Sequence, residues 1–506
     1  MQNPLTAVTA HVKQRRTSVN FLLFMNDYFA AVSSATLLFL ARESKIEFRT
    51  RLWRWTIISG AFGGTATPYA QRAGKSRCWF AVPDQEAVMR VNRRVFLRAA
   101  LGVPAAVTIS RFLGPFEALA APGRQQFKIT AIKALQLSVA PGTILRIDTD
   151  AGISGYGPAH GTGPYVREVI AEFMSNQGSA KGLSLIGKDP LAIAVHHHNM
   201  FYAWAQRFRP IRVLSGIDIA LWDLAGKILN APVSKLLGGN FRDEIVCYSH
   251  CGHEGDFWTK EEWVPRAQAL KNDPAGFKAF KVDLNDALGV IARQYVPSLG
   301  PAEIRKVALC YDLALDAFGP DYDIIVHGHN ELDVASSVRV AEAVEHIKPL
   351  WFEDPLAPRF GESWMALRRS TRIPILTGED LELIEDARFF IESQAVDCLQ
   401  PDLVQSGGIT GVKMIADLAA SYRMPICLHN VSGLLLNLAS QQFTAAIHNA
   451  PMMECARGSD RAPAAKSNVP VIKNGKMQVH SAPGIGADLD EDYLRAHLAP
   501  GEAWWG

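Results

Sequence analysis

Between Asp323 and Glu454, acidic and histidine residues stand at the ends of short apolar runs: DIIVHGH, LWFEDP, PILTGED, VDCLQPDL, MPICLHN and PMMEC. His327, Glu353, Glu379, Asp402 and His429 follow one another at intervals of 26, 26, 23 and 27 residues. Carboxylates and imidazoles are the groups that hold divalent cations and move protons, so their recurrence points to one metal-assisted acid–base site. Each interval contains a helix-like segment, such as ASSVRVAEAVEHI or GITGVKMIADLAASY, and the unit reads strand, helix, strand. Repeated units of this kind form a parallel β/α array. In a closed (β/α) barrel the C-terminal ends of the strands share one mouth, so the six runs are expected to converge on a single pocket.

The rest of the chain must position that array. With 506 residues and 48% apolar content, there is room for a barrel and a second domain. The formal net charge of +2 is unevenly divided: residues 1–120 carry 16 Lys+Arg against 6 Asp+Glu, leaving 36 against 44 for the remainder. An acidic body without a basic patch argues against nucleic acid as a partner. The seven cysteines, Cys78, Cys247, Cys251, Cys310, Cys398, Cys427 and Cys455, form no CxxC pair. Neither a zinc knuckle nor a disulfide framework is expected.

Residues 89–121 place Arg93-Arg94 before Phe96-Leu97, then a modest apolar run, then Ala118-Leu119-Ala120. This pattern resembles a twin-arginine export signal with its cleavage site. It implies a periplasmic or exported protein, cytoplasmic if the signal is not used. Met89 stands directly before it, so residues 1–88 are read as an upstream extension outside the native protein. The apolar run Val19–Leu40 is interrupted by Asn26 and Asp27, and no stable membrane span is expected.

Alternating strands begin near Phe127 (KITAIKALQLSV, TILRIDTDAGISGYG), with a turn at Asp150-Ala151-Gly152. The periodic segment LSGIDIALWDLAGKILNAPVSKLLGG predicts one helix stopping at Gly238-Gly239. Residues 125–240 are thus an α+β domain, 244–455 the barrel, and 456–506 a C-terminal segment whose two short strands, in VPVIKNGKMQVHSAPGIG, return to the first domain. Residues 456–470 and the tail to Trp504-Trp505 read as irregular. His196-His197-His198 falls in the first domain and reads as a solvated polar turn or a specificity loop rather than a metal tract.

This order of parts resembles the enolase superfamily and, within it, the mandelate racemase and muconate lactonizing enzyme group, over about residues 125–490. The resemblance implies an α/β fold: a modified TIM (β/α)7β barrel under an α+β capping domain. Glu353 of FEDP and Glu379 of TGED match metal ligands on the fourth and fifth strands, and Asp402 of QPDLVQSGGIT with His429 of CLHN matches an Asp–His dyad. Glu454 of MMEC matches the acidic residue of the eighth strand.

Two positions depart from the pattern. The second strand offers Lys281 followed by Asp283, without the second lysine that serves as a base in racemase-like members. On the third strand His327 stands where a metal-binding Asp is usual, two residues before His329. The pattern is similar to galactonate-dehydratase-like members, which implies a metal-dependent sugar-acid dehydratase acting on an aldonate or aldarate. In that reading His429, oriented by Asp402, takes the C2 proton, His329 protonates the departing C3 hydroxyl, and Lys281 binds or polarises the substrate carboxylate. Glu353, Glu379 and His327 hold Mg²⁺, with Mn²⁺ or another divalent ion also open because an imidazole favours softer cations. Asp283 reads as a substrate contact or a salt bridge to Lys281. His160 and Trp204 of the cap are candidate substrate contacts. Gly407-Gly408 is read as a strand-to-helix turn, with a phosphate as the weaker alternative. A racemase, epimerase or cycloisomerase is the nearest alternative function, and a catalytically silent carbohydrate-acid-binding relative is another. The group also implies a homo-oligomer.

Overall fold

The computed structural model describes residues 126–505, apart from 140–141, 205–209, 254, 291–295, 297 and 459–462. The expected upstream extension, the export signal and the run Val19–Leu40 lie outside the described residues. Three antiparallel strands come first: β1 (Ile129–Gln136), β2 (Thr143–Thr149) and β3 (Ser154–Ala159), in sheet order 1-2-3. Helix α1 (Gly163–Met174) precedes α2 (Ile211–Leu229), which lies against β3 at close range. Small residues permit that approach. A Cβ on Gly157 would stand 2.1 Å from the Gly216 carbonyl oxygen of α2.

Helix α2 ends nine residues earlier than its periodicity predicted. Asn230 adopts a left-handed φ of 50° and returns its N–H to the last turn, and Pro232 cannot continue the helix. A separate turn of helix follows at Val233–Leu236. The histidine run also differs from expectation. It lies in the short helix Ile193–His198 with His196 and His197 buried, their Nε2–H groups donating to the carbonyls of Asp189 and Gly407.

The barrel is built from β4 (Glu244–His250), α3 (Lys260–Lys271), β5 (Ala279–Asp283), α4 (Pro301–Phe318), β6 (Asp323–His327) and α5 (Val334–Val344). It continues through β7 (Trp351–Glu353), α6 (Glu362–Ser370), β8 (Ile375–Thr377), α7 (Ile384–Ser393), β9 (Cys398–Leu399), α8 (Gly408–Ser421), α9 (Leu434–Ala446) and β10 (Met453–Glu454). Parallel pairing runs from β4 to β9, passes through bridges Leu399–Ile426 and Leu428–Met453, and closes where β10 pairs with β4. The Ile426–Leu428 stretch is therefore the seventh of eight positions, and seven helices, α3–α9, follow the first seven: a (β/α)7β barrel.

Side chains alternate across each strand. Tyr248, Ala279, Ile325, Trp351, Leu376, Cys398 and Cys427 fill the barrel interior, while Phe280, Val282, Ile324, Val326 and Phe352 face the helices. The same period places His327 above Ile325 and Glu353 above Trp351, so the chemistry-bearing residues rest on an apolar plug. All six described cysteines are free and buried.

The C-terminal strands β11 (Ile472–Lys473) and β12 (Lys476–Gln478) do not join the capping sheet as expected. β12 pairs antiparallel with β4, Met477 opposite Ile245. Irregular chain makes the return to the cap instead: Ile485 N–H donates to Asp223 Oδ1 at 2.9 Å, Ser138 N–H to the His497 carbonyl at 2.9 Å, and Arg146 lies 4.5 Å over the Trp505 ring. Cap and barrel belong to one compact unit, residues 123–506.

Candidate active site

A cleft of about 610 Å³ opens over the C-terminal ends of the strands, in the range of small-molecule sites. It is lined by Lys281, Asp283, His327, His329, Glu379, Asp402, His429 and Glu454 from the barrel, and by His160 and Arg212 from the cap. Glu353 sits just beneath, fully buried. Trp204 does not belong to this set. It packs in the cap's own core, ring centroid 5.0 Å from Phe173, and so is a structural residue rather than a substrate contact.

Register explains the convergence on one side. Asp283 is paired with His327 and His327 with Glu353 across β5, β6 and β7, which puts three strand-end side chains in one row. His327 Nε2 lies 3.7 Å from Glu353 Oε1 and 3.8 Å from Glu379 Oε2. Asp354, in the same cluster, completes a buried set whose ligand atoms all fall within 4.8 Å. Burial, reinforced by Glu454, Asp354 and Glu379, pushes Glu353 well above the usual carboxylate range against the pull of Lys281. Burial, with Lys281 and His329 as positive neighbours, holds His327 well below the usual histidine range, so its ring is neutral. His327 Nε2 and Glu353 Oε2 are buried and have no hydrogen-bond partner. Crowded acids and a bare imidazole nitrogen aimed at one point fit a divalent cation: His327, Glu353 and Glu379 would hold it.

Lys281 is placed between two carboxylates, 2.7 Å from Glu454 Oε1 and 3.0 Å from Glu353 Oε1. Burial opposes its charge, but Glu353 and Glu454 outweigh burial and raise it well above the ordinary lysine range. Lys281 is therefore a fixed cation committed to these acids. The expected salt bridge from Lys281 to Asp283 is not made; Asp283 pairs with histidines instead, 2.9 Å from His327 Nδ1, 3.1 Å from His250 Nε2 and 3.6 Å from His329 Nε2.

On the opposite side His429 Nδ1 lies 2.7 Å from Asp402 Oδ2, and its Nε2 faces Glu379 Oε2 at 3.3 Å. Burial works against its charge, but Glu379, Asp402 and Glu454 outweigh it and push the imidazole up to about 10. Asp402 is held in turn by the N–H of Val404, 2.7 Å from Oδ1. His329 Nδ1 meets Asn285 Oδ1 at 2.9 Å, and an amide oxygen only accepts, so this nitrogen carries hydrogen. His160 bridges cap and barrel through Ser432 Oγ at 2.7 Å.

Several cleft residues lay beyond the sequence reading. His250 ends β4 by the same strand-end rule that selected the others, and Asp354 adjoins Glu353 in FEDP, so both were within reach of the pattern. Asp380 adjoins Glu379 in TGED in the same way, whereas Arg212 comes from the first turn of α2 and Gln405 and Ser432 from loops, and no local signal marks these three. Gly407-Gly408 serves the turn into α8 and leaves no room for an anion. A Cβ on Gly408 would fall 2.3 Å from Asp218 Oδ2, and this cap carboxylate occupies the helix N-terminus, accepting from the Thr410 N–H at 3.0 Å and its hydroxyl at 2.7 Å.

Comparison with known proteins agrees with this architecture. Residues 125–238 match the family described as mandelate racemase / muconate lactonizing enzyme, N-terminal domain, and residues 265–493 match the enolase C-terminal domain-like family. The chain is 31% identical over 377 residues to a D-xylonate dehydratase of Haloferax volcanii, covering 72% of this chain and 86% of that protein. A D-galactonate dehydratase of Variovorax paradoxus is 30% identical, covering 72% and 93%. Among solved structures, an enolase superfamily member from Salmonella Typhimurium superimposes with a TM-score of 0.65 at 28% identity, over 73% of this chain and 98% of the other. A mandelate racemase/muconate lactonizing enzyme from Sulfitobacter sp. gives 0.64 at 26% identity, over 75% and 98%. Capping layer and barrel agree with these likenesses, and the chain belongs to the mandelate racemase and muconate lactonizing enzyme family of the enolase superfamily.

Proposed function

We propose that the protein is a metal-dependent hydro-lyase that dehydrates a sugar acid, an aldonate or aldarate, to a 2-keto-3-deoxy acid. One observation carries the reading: His329 and His429 stand at the third and seventh of eight barrel positions, diametrically opposed across one cleft beside the cation cradle. The relatives named as D-xylonate, D-galactonate and D-mannonate dehydratases support the substrate class.

A proton α to a carboxylate is weakly acidic, and its removal needs stabilisation of the charge that develops on the carboxylate. A divalent cation held by Glu353, Glu379 and His327 supplies that stabilisation as a Lewis acid. Asp402 accepts from His429 Nδ1–H and so aims Nε2 into the cleft, where the neutral ring takes the C2 proton. His429 is held protonated chiefly by Glu379, so neutralising that carboxylate brings the imidazole down toward a base's working range. His329, whose Nε2 faces Asp283 Oδ2 at 3.6 Å, serves as the acid that gives a proton to the departing C3 hydroxyl, which leaves as water. The enol formed then becomes the 2-keto acid. Lys281 keeps Glu454 ionised and holds Glu353 in place, and Arg212 of the cap offers a positive group to the far end of the substrate.

The test is a 2-keto acid assay of the full chain across a sugar-acid library with Mg²⁺, Mn²⁺ or Zn²⁺ supplied, and His429→Asn as control. Cation-dependent product lost in the variant is expected. Exchange of C2 hydrogen with deuterium from solvent, without product, would instead indicate a racemase or cycloisomerase. Neither product nor exchange would indicate a binding protein.

A further inference from the structure

The cation cradle has three converging ligand groups, of which only Glu353 and Glu379 are carboxyl groups. His327 is neutral. Directly behind it, on the adjacent strand and in register, Asp283 Oδ1 lies 2.9 Å from Nδ1. A carboxylate can only accept there, so Nδ1 carries the hydrogen and Nε2 turns its lone pair toward Glu353 and Glu379. The same oxygen of Asp283 faces a second imidazole, that of His250. Gly252 N–H donates to His250 Nδ1 at 2.8 Å, so the neutral His250 ring keeps its hydrogen on Nε2, 3.1 Å from Asp283 Oδ1. The same arrangement argues against a second cation among His250, His253, Asp283 and Asp286, although their ligand atoms cluster. His250 Nε2 has no lone pair to give.

We propose that Asp283 is the positioning residue of the cation site. It fixes His327 as an Nε2 ligand and, by polarising the ring, conveys to the cation the third negative charge that the direct ligands lack, while His250 anchors Asp283. The inference rests on the cation-dependent reading above and deepens it: a site of this composition selects cations that accept nitrogen, Mn²⁺, Fe²⁺ or Zn²⁺, over Mg²⁺.

The full chain, stripped with a chelator, is titrated with Mn²⁺ and followed by loss of the free-ion electron paramagnetic resonance signal. Asp283→Asn preserves shape and removes charge, and weakens Mn²⁺ binding by about tenfold to a hundredfold. The thermal midpoint of the stripped variant reports that it folds; if it does not, His250→Gln carries the test, with a severalfold loss expected. A swap adds a readout that a merely structural role would not move. His327→Asp sets a carboxylate against Asp283 and binds Mg²⁺ poorly, and adding Asp283→Asn raises its Mg²⁺ affinity about tenfold, because the repulsion between the two carboxylates is removed. Mn²⁺ binding unchanged in a folded Asp283→Asn or His250→Gln, or Mg²⁺ affinity of His327→Asp indifferent to Asp283→Asn, overturns the inference. A parent protein that binds Mn²⁺ with the predicted variant pattern but makes no 2-keto acid sinks the lyase reading alone. A parent that binds no divalent cation removes both.

Discussion

His197 lies where the capping layer meets the barrel, 3% exposed, with Nε2–H donating to the Gly407 carbonyl at 3.1 Å and its ring 4.5 Å from Phe201. Burial pushes its pKa down to about 4, the Gly407 hydrogen bond opposing and His198 assisting. Above the ordinary histidine value the ring is neutral in folded and unfolded chains alike and contributes no pH dependence. As pH falls below about 6.5, the unfolded chain takes up a proton that the folded chain refuses until about pH 4. Stability is therefore lost across that window as pH falls. The full shift corresponds to about 3 kcal/mol, of which about 2 kcal/mol is lost by pH 5. Urea unfolding of the parent and of His197→Gln, which retains a donor for Gly407, measures this at pH 7.5 and pH 5. The parent should lose about 2 kcal/mol more than the variant between the two conditions. Equal losses in both proteins would refute the claim that this histidine is kept neutral by burial at the joint.

Asp218→Ala removes a fully buried acceptor and leaves the half-buried Thr410 N–H and hydroxyl without it, and should lower unfolding free energy by about 1–3 kcal/mol, with Asp218→Asn losing less. His429→Asn should reduce turnover by about 10²–10⁴-fold while cation binding persists, which a turnover assay paired with Mn²⁺ titration checks. A divalent cation at a hundred times its dissociation constant should stabilise the fold by about 2.7 kcal/mol, seen as a higher thermal midpoint that a chelator abolishes. If the arginine-pair segment acts as an export signal, protein recovered outside the cytoplasm should begin at or near Ala121 by N-terminal sequencing, and an N-terminus within residues 1–88 would refute that reading.

The barrel was legible because its rule is local and repeated. Each strand is a short apolar run, each helix has its own period, and the residue after each run must face the mouth. Glu353, Glu379, Asp402, His429 and Glu454 were found this way, and the structure places all five in or directly beneath one cleft. Where the reading failed, a contact between distant segments decided. Trp204 looks like a cleft aromatic in sequence, but Phe173 and the cap core claim it. The triple histidine reads as a solvated turn until the barrel loop at Gly407 is brought against it. β11 and β12 have too few residues to specify a partner, and β12 pairs with Glu244–Val246, the start of β4 that the two-residue β10 does not reach.

The sequence by itself determined the order of strands and helices and the chemical types at the strand ends, because apolar period and residue identity are properties of the chain alone. Only the tertiary structure decided what each ionisable group does. Lys281 is a partner of two glutamates rather than of Asp283, and Asp283 is a partner of histidines, because strand register sets which side chains meet across the barrel. The charge states follow from the same packing: burial alone would neutralise every one of these groups, and only the neighbours that register supplies keep Lys281 and His429 charged while His327 stays neutral.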